Sequence, residues 1–194
     1  SSASLTASSD AMDLPATAVD DTRHCLERAV IGLNQSPLAN AVQVKEQVHF
    51  AVSEADDAAG VLQDFGGELE ELLARDAQER DTTLLVIPRG FADFLDFHDL
   101  TARAERLLRR QGLEGVVQLA SFHPRFVFAG EGDSDITNNT NRAPYPTLHL
   151  LREASMDRAV AAFPDAAAIY ETNMDTLRRL GQAGWDALGV GASK

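Results

Sequence analysis

Short apolar segments alternate along the chain with stretches of helical periodicity. Alternating apolar residues predict a strand over 42–53, and continuous apolar runs predict buried strands over 81–87 and 116–122. Each gap between them is long enough for a crossover helix, which favours parallel strands joined right-handedly. We therefore predict an α/β fold with a small, mostly parallel sheet of about three core strands, flanked by helices.

Helices are predicted wherever apolar residues recur at helical spacing. One of them begins at a capping residue, Asp56 or Asp57, and extends to about Leu73. The other predicted helices span residues 19–33, 91–110, 147–154, 155–163 and 165–188. The chain is expected to form a single α/β domain over residues 18–190, preceded by a disordered tail over residues 1–17.

The composition excludes several classes of partner. The net charge is −13 over 194 residues, whereas nucleic-acid-binding surfaces need clustered basic residues and anionic membranes repel acidic proteins. No apolar run reaches the roughly 18 residues of a membrane-spanning helix, and Ser1–Asp10 lacks the basic and apolar parts of a signal peptide. Because Cys25 is the single cysteine, no internal disulfide can form, and a cytoplasmic location is predicted.

A long polar segment follows the third predicted strand. Residues 121–153 are rich in Asn, Asp, Thr, Gly and Pro and have no regular periodicity over most of their length. Connections longer than about 12–15 residues in a compact domain usually bind a ligand, cover a site or are disordered. Since the segment retains aromatic residues such as Phe122 and Tyr145, we predict that it is ordered. It leaves the carboxyl end of a strand, where open α/β sheets bind their ligands.

The motifs of this loop resemble one family. They are His123-Pro124, Thr137-Asn138, Thr140-Asn141-Arg142, Pro144-Tyr145-Pro146 and Leu148-His149-Leu150-Leu151-Arg152-Glu153-Ala154-Ser155. This set is similar to the bacterial family of unknown function called DUF1415, and the similarity extends over about residues 20–188. The resemblance implies no established activity. The family pattern typically has a cysteine where this chain has Ser36, so any thiol chemistry of that cysteine is lost here or depends on Ser36.

A metal site is one interpretation of the loop. His149 and Glu153 are four residues apart on a predicted helix and would share one face. With His123 they would form a set of two histidines and one carboxylate, which suits a divalent transition metal such as Fe(II), Mn(II) or Zn(II); Asp133 and Asp135 are alternative ligands. In the other interpretation His149 packs near the helix start and Glu153 pairs with a neighbouring arginine on a solvated face.

Acid–base catalysis is a second interpretation. Pro124 holds His123 in an extended conformation, and the usual pKa of histidine lies near neutral pH, as a general base requires. His149 and Glu153 complete the candidate catalytic set. The alternative is that His123 is a core histidine whose ring is satisfied by hydrogen bonds within the loop.

The basic and amide side chains of the loop are candidate ligand-binding groups. Arg142 is suited to bind a carboxylate or phosphate by two hydrogen bonds, and Asn138 and Asn141 would orient the ligand. Arg152 and Tyr145 are further substrate-binding candidates. Alternatively, the asparagines bond the backbone of their own loop, as turn residues commonly do.

Taken together, the sequence predicts an enzyme that acts on a small anionic metabolite through the loop over residues 121–153, with or without a metal. The alternative is a non-catalytic protein that uses the same loop to bind a ligand or another protein. A third interpretation is that the loop is a structural clasp, in which case its polar atoms would all be satisfied internally.

Overall fold

The computed structural model describes residues 9–25, 48–127, 132, 135–155, 157 and 166–190. The fold is mixed α/β with one open sheet of four strands, β1 Val48–Val52, β2 Thr82–Val86, β3 Val117–Phe122 and β4 Thr147–Arg152. The helices are α1 Ser9–Cys25, α2 Ala58–Ala74, α3 Phe94–Arg110 and α4 Ala166–Ala187, with a 3₁₀ helix over Ile136–Asn141. No helix in this part of the chain is long and apolar enough to cross a membrane.

The sheet is mixed, so the prediction of a mostly parallel sheet with about three strands is wrong. Its strand order is β1-β2-β4-β3. β1 and β2 are parallel neighbours joined through α2, as predicted. β4 lies between β2 and β3 and is antiparallel to both. β3 therefore points in the same direction as β1 and β2 but is hydrogen-bonded to neither.

The fourth strand is formed by residues that were predicted to be helical. The prediction of a helix over 147–154 is wrong, because Thr147–Arg152 form β4. Leu148 and Leu150 are fully buried in the core on one face of this strand. A short apolar run fits a buried strand as well as a helix, and here the partners on both sides decide the outcome. The strand forms ladder hydrogen bonds with β2 and β3. A helix in its place would leave the backbone N–H and C=O groups on the facing edges of β2 and β3 unpaired.

Three of the six predicted helices, those over residues 56–73, 91–110 and 165–188, are confirmed with shifted ends. Asp57 caps α2, and its carboxylate accepts a hydrogen bond of 3.0 Å from the backbone N–H of Gly60. α1 spans Ser9–Cys25 and contains the described part of the helix predicted over residues 19–33. α4 is broken at Gly181, whose φ of 70° favours glycine. The predictions for residues 1–8, 26–33, 42–47 and most of 155–163 lie outside the described residues.

The main core lies between the sheet and the pair α2 and α3. Phe65 and Leu69 of α2, Phe97 of α3 and Leu85 of β2 are buried there with exposures of 0–1%. α1 contacts β1 and β2. Successive side chains of a strand point to opposite faces, so Leu84 of β2 points away from this core.

The turn after β2 approaches the turn after β1 closely. A Cβ atom on Gly90 would lie 2.9 Å from the carbonyl oxygen of Asp56, so only glycine fits without a shift of the backbone. The next residue, Phe91, has a φ of 61°, in the left-handed region that side chains disfavour. This turn brings the carbonyl oxygen of Phe91 to the ring of His123.

Replacing Thr83 by valine is expected to stabilise the protein. Thr83 is fully buried, and its hydroxyl has no hydrogen-bond partner among the described residues. Valine has the same shape and removes the unpaired hydroxyl, so we expect the free energy of unfolding in urea to rise by about 1 kcal/mol.

Thr82→Val is the matched control on the same strand. The Thr82 hydroxyl donates to the carbonyl oxygen of Leu150 at 2.7 Å and lies 2.6 Å from His149 Nε2. Its removal is expected to cost about 1–2 kcal/mol. Equal destabilisation by the two variants would contradict the assignment of Thr83 as an unsatisfied hydroxyl.

Candidate functional site

The long loop is closed at its base by the sheet. Phe122, at the end of β3, pairs with Thr147, at the start of β4, so the loop itself is the hairpin connection over residues 123–146, and residues 121–122 and 147–152 belong to the strands. Just above this base, the backbone N–H of His123 donates to the carbonyl oxygen of Asn141 at 3.1 Å. The Asn141 side chain donates back to the carbonyl oxygen of Ser121 at 3.1 Å. The two ends of the loop are therefore tied together.

The two asparagines predicted to orient a ligand both bond the loop itself. Asn141 makes the contact to Ser121 described above, and the fully buried Asn138 donates its amide to the carbonyl oxygen of Gly132 at 2.8 Å. These contacts match the alternative interpretation, in which the amides stabilise the loop backbone.

His123 is a buried part of the core. Its Nδ1 accepts a hydrogen bond of 3.0 Å from the backbone N–H of Arg125, so Nε2 carries the proton and donates to the carbonyl oxygen of Phe91 at 2.7 Å. The ring has 0% exposure and lies 5.1–5.4 Å, between centroids, from the rings of Phe94 and Phe97. Burial lowers its pKa. With both ring nitrogens bonded to backbone, His123 has no nitrogen left to accept a substrate proton.

His149 lies on the other face of the sheet. It is opposite Leu84 on β2, and its ring centroid is 6.0 Å from that of Phe122. Because the Thr82 hydroxyl donates to a backbone carbonyl, His149 Nε2 donates to the oxygen of that hydroxyl at 2.6 Å. Burial lowers the pKa of His149 to about 4, so the ring is neutral at physiological pH.

The structure does not bring the predicted metal ligands together. His123 packs against α3 on one face of the sheet, and His149 stacks with Phe122 on the other. Glu153 follows the far end of β4, roughly 20 Å along the strand from the loop. Its backbone N–H donates to the carbonyl oxygen of Val116 there. No group of three His, Cys, Asp or Glu side chains within the described residues is arranged to hold a metal ion. The alternative ligand Asp133 and the substituted position Ser36 lie outside the described residues.

Arg152 stabilises the end of a helix, far from the loop. Its guanidinium donates to the carbonyl oxygens of Leu72, Arg75 and Arg80 at 2.5–3.2 Å. The last carbonyls of a helix have no partner within it, and a cationic side chain there also interacts favourably with the helix dipole. These contacts at the end of α2 account for Arg152 without a ligand.

Tyr145 and Arg142 hold the loop against neighbouring segments. The Tyr145 hydroxyl donates to the carboxylate of Asp21 on α1 at 2.8 Å, and burial together with this bond raises the pKa of Tyr145 to about 12. Arg142 donates from Nε to the carbonyl oxygen of Phe126 at 3.1 Å and from NH1 to Asn139 Oδ1 at 3.2 Å. Both side chains thus have structural contacts, and Arg142 also lines a cleft.

This cleft, of about 310 Å³, lies between the loop and the C-terminal part of α4. Its size falls within the range of ligand sites, which combine apolar walls with a few polar groups. The wall from the loop consists of Pro124, Asn139, Arg142, Ala143 and Pro144. The facing wall consists of Gln182, Trp185, Asp186 and Val190.

Asn139, like Gln182 and Asp186, is a polar lining residue of this cleft that sequence reasoning missed. The residue is only 2% exposed, and its Oδ1 accepts the hydrogen bond from Arg142. Its Nδ2 is buried and has no hydrogen-bond partner among the described residues. Nothing in the sequence distinguishes Asn139 from Asn138 and Asn141, whose amides are both bonded to the loop backbone.

Two other cavities border the same region of the fold. A small apolar cavity beneath α1 is lined by Thr22, Cys25, Leu84, Phe122, Arg142, Ala143 and Thr147. Burial raises the pKa of the Cys25 thiol to about 12, which makes it a poor nucleophile. An open acidic cleft near the turns after β1 and β2 contains Asp56, Asp57, Asp93, Asp96 and Asp99 together with Arg103.

The neutral state of His149 predicts a specific pH dependence. Below pH 6.5 the unfolded chain protonates this histidine, whereas the folded chain does so only near pH 4, so stability falls across that window. In His149→Gln the side chain can still donate to Thr82 but does not titrate. Between pH 7 and pH 5, we expect the free energy of unfolding of wild type to fall by about 2 kcal/mol more than that of the variant. Urea unfolding at the two pH values measures this difference. Parallel pH profiles would show that His149 is not held neutral by burial.

Comparison with known proteins gives a family but no activity. No curated protein matches the chain, and no solved structure does. A family model described as a protein of unknown function, DUF1415, matches residues 17–187, a range that includes the loop and every lining residue of the cleft except Val190. The resemblance identified from the loop motifs is confirmed, and the chain belongs to the DUF1415 family.

Proposed function

We propose that this protein is a cytoplasmic, non-catalytic binding protein for a small molecule with an anionic group, which it holds in the cleft between the loop and α4. The observation that carries the proposal is the buried, unpartnered amide of Asn139 in the wall of that cleft. Leaving such a donor unsatisfied costs about 1–3 kcal/mol, which a ligand with an acceptor oxygen would recover.

The neighbours of Asn139 favour an anionic acceptor. Arg142 donates to Asn139 Oδ1, which fixes the orientation of the amide and directs Nδ2 away from the guanidinium. The positive charge therefore lies beside the donor, and both residues line the same wall. A carboxylate or phosphate oxygen accepts stronger hydrogen bonds than a neutral oxygen does, and it is attracted by the arginine.

The surroundings of the histidines favour binding over catalysis. A general base needs a ring nitrogen within hydrogen-bond reach of the substrate proton. Both nitrogens of His123 are bonded to backbone groups inside the core, and His149 does not line the cleft. The non-catalytic alternative predicted from the sequence therefore has the better geometric support.

The variant Asn139→Asp tests this proposal. Aspartate keeps the oxygen that accepts from Arg142 but replaces the donor Nδ2 by a negatively charged oxygen. We expect the unliganded stability to change by less than about 1 kcal/mol, because Arg142 compensates the new charge. Binding of benzoate, succinate or inorganic phosphate, measured by titration calorimetry, should weaken at least about tenfold.

Asn138→Asp is the matched control. The Asn138 amide already donates to the carbonyl oxygen of Gly132, so this variant loses a structural bond and buries a charge in the loop. It should lower the melting temperature more than Asn139→Asp does. If Asn139→Asp binds the anions as tightly as wild type does, the proposed function is wrong.

A further inference from the structure

The two walls of the cleft carry opposite charges. Arg142 and the Asn139 amide supply positive charge and a donor on the loop wall, and Asp186 supplies a carboxylate on the facing wall of α4. An anion alone would be attracted by the first wall and repelled by the second, in a protein whose net charge is already −13. A ligand that also carries a positive group would be attracted by both walls.

Asp186 is available to bind such a group. Its Oδ1 accepts a hydrogen bond of 2.7 Å from the Gln182 side chain one helical turn earlier, which orients the carboxylate. The side chain makes no other hydrogen bond or ion pair within the described part of the chain. The residue is exposed, so its second oxygen can accept from a ligand that enters from solvent.

The rest of the lining is mainly apolar. Pro124, Ala143, Pro144 and Val190 line the cleft together with the indole of Trp185. Trp185 and Val190 also pack together with the buried Cys25, which fixes this part of the wall. Such a surface would remove an apolar or aromatic group of the ligand from water.

We propose that the ligand is a zwitterionic amino acid with an apolar side chain, an inference that rests on the proposed function. The α-carboxylate accepts from Asn139 Nδ2 beside Arg142, the α-ammonium donates to Asp186, and the side chain packs against Trp185. This assignment uses both charges and the apolar walls of one cleft.

The test compares three probes that differ by one charged group. They are L-phenylalanine, its deaminated analogue 3-phenylpropanoate and its decarboxylated analogue phenethylamine, titrated calorimetrically into the full chain. L-Phenylalanine should bind at least about tenfold more tightly than either analogue. Asp186→Asn should weaken L-phenylalanine about tenfold and leave 3-phenylpropanoate unchanged or tighter. Asn139→Asp should weaken L-phenylalanine and 3-phenylpropanoate but not phenethylamine.

The outcomes separate this inference from the function on which it rests. If 3-phenylpropanoate binds as tightly as L-phenylalanine and Asp186→Asn does not change the ratio of the two affinities, the cleft is a simple anion site. The amino-acid assignment is then wrong. If neither compound binds and the simple anions also fail, both proposals are wrong. A circular-dichroism melt of each variant establishes that lost affinity does not reflect lost structure.

Discussion

The antiparallel pairing of β4 between β2 and β3 is the constraint on which the site depends. It places the last strand of the sheet in a central position, where Leu148 and Leu150 complete the main core. It also turns residues 123–146 into a hairpin connection whose ends are held together by the pair Phe122 and Thr147. Closing a long loop costs conformational entropy, and the strand pairing offsets that cost.

The loop is also fixed by polar contacts to backbone and side-chain atoms. His123 joins the turn after β2 to the loop, and Tyr145 joins the loop to α1. Arg142 bonds both Phe126 and Asn139. Buried polar groups of this kind are costly when unpaired, so the Asn139 amide stands out within a loop whose other described asparagine amides are bonded. The proposed ligand site is inferred from this contrast between Asn139 and the other asparagines.

Much of the fold could be predicted from periodicity, because α2, α3 and the first three strands have clear local patterns. The fourth strand could not, because Leu148–Leu151 are equally compatible with a buried strand and a helix, and only the distant strands β2 and β3 distinguish the two. The error had a consequence: four residues span about 6 Å along a helix but about 13 Å along a strand, so His149 and Glu153 are too far apart to share a metal ion. The loop stands out in the sequence by its polar composition, but the role of each polar residue depends on partners that its sequence does not reveal. Asn138 and Asn139 are adjacent and chemically identical, yet their amide groups have opposite hydrogen-bond status.

The most direct measurement is the ¹H–¹⁵N spectrum of the side-chain amides during titration with L-phenylalanine. The Asn139 resonances, assigned by their absence in Asn139→Asp, report on the one donor that the account gives to the ligand. We predict a saturable shift of the Asn139 amide, with the Asn138 amide unchanged because its bond to Gly132 is retained. Saturable shifts elsewhere in the protein with an unmoved Asn139 amide would contradict the central claim.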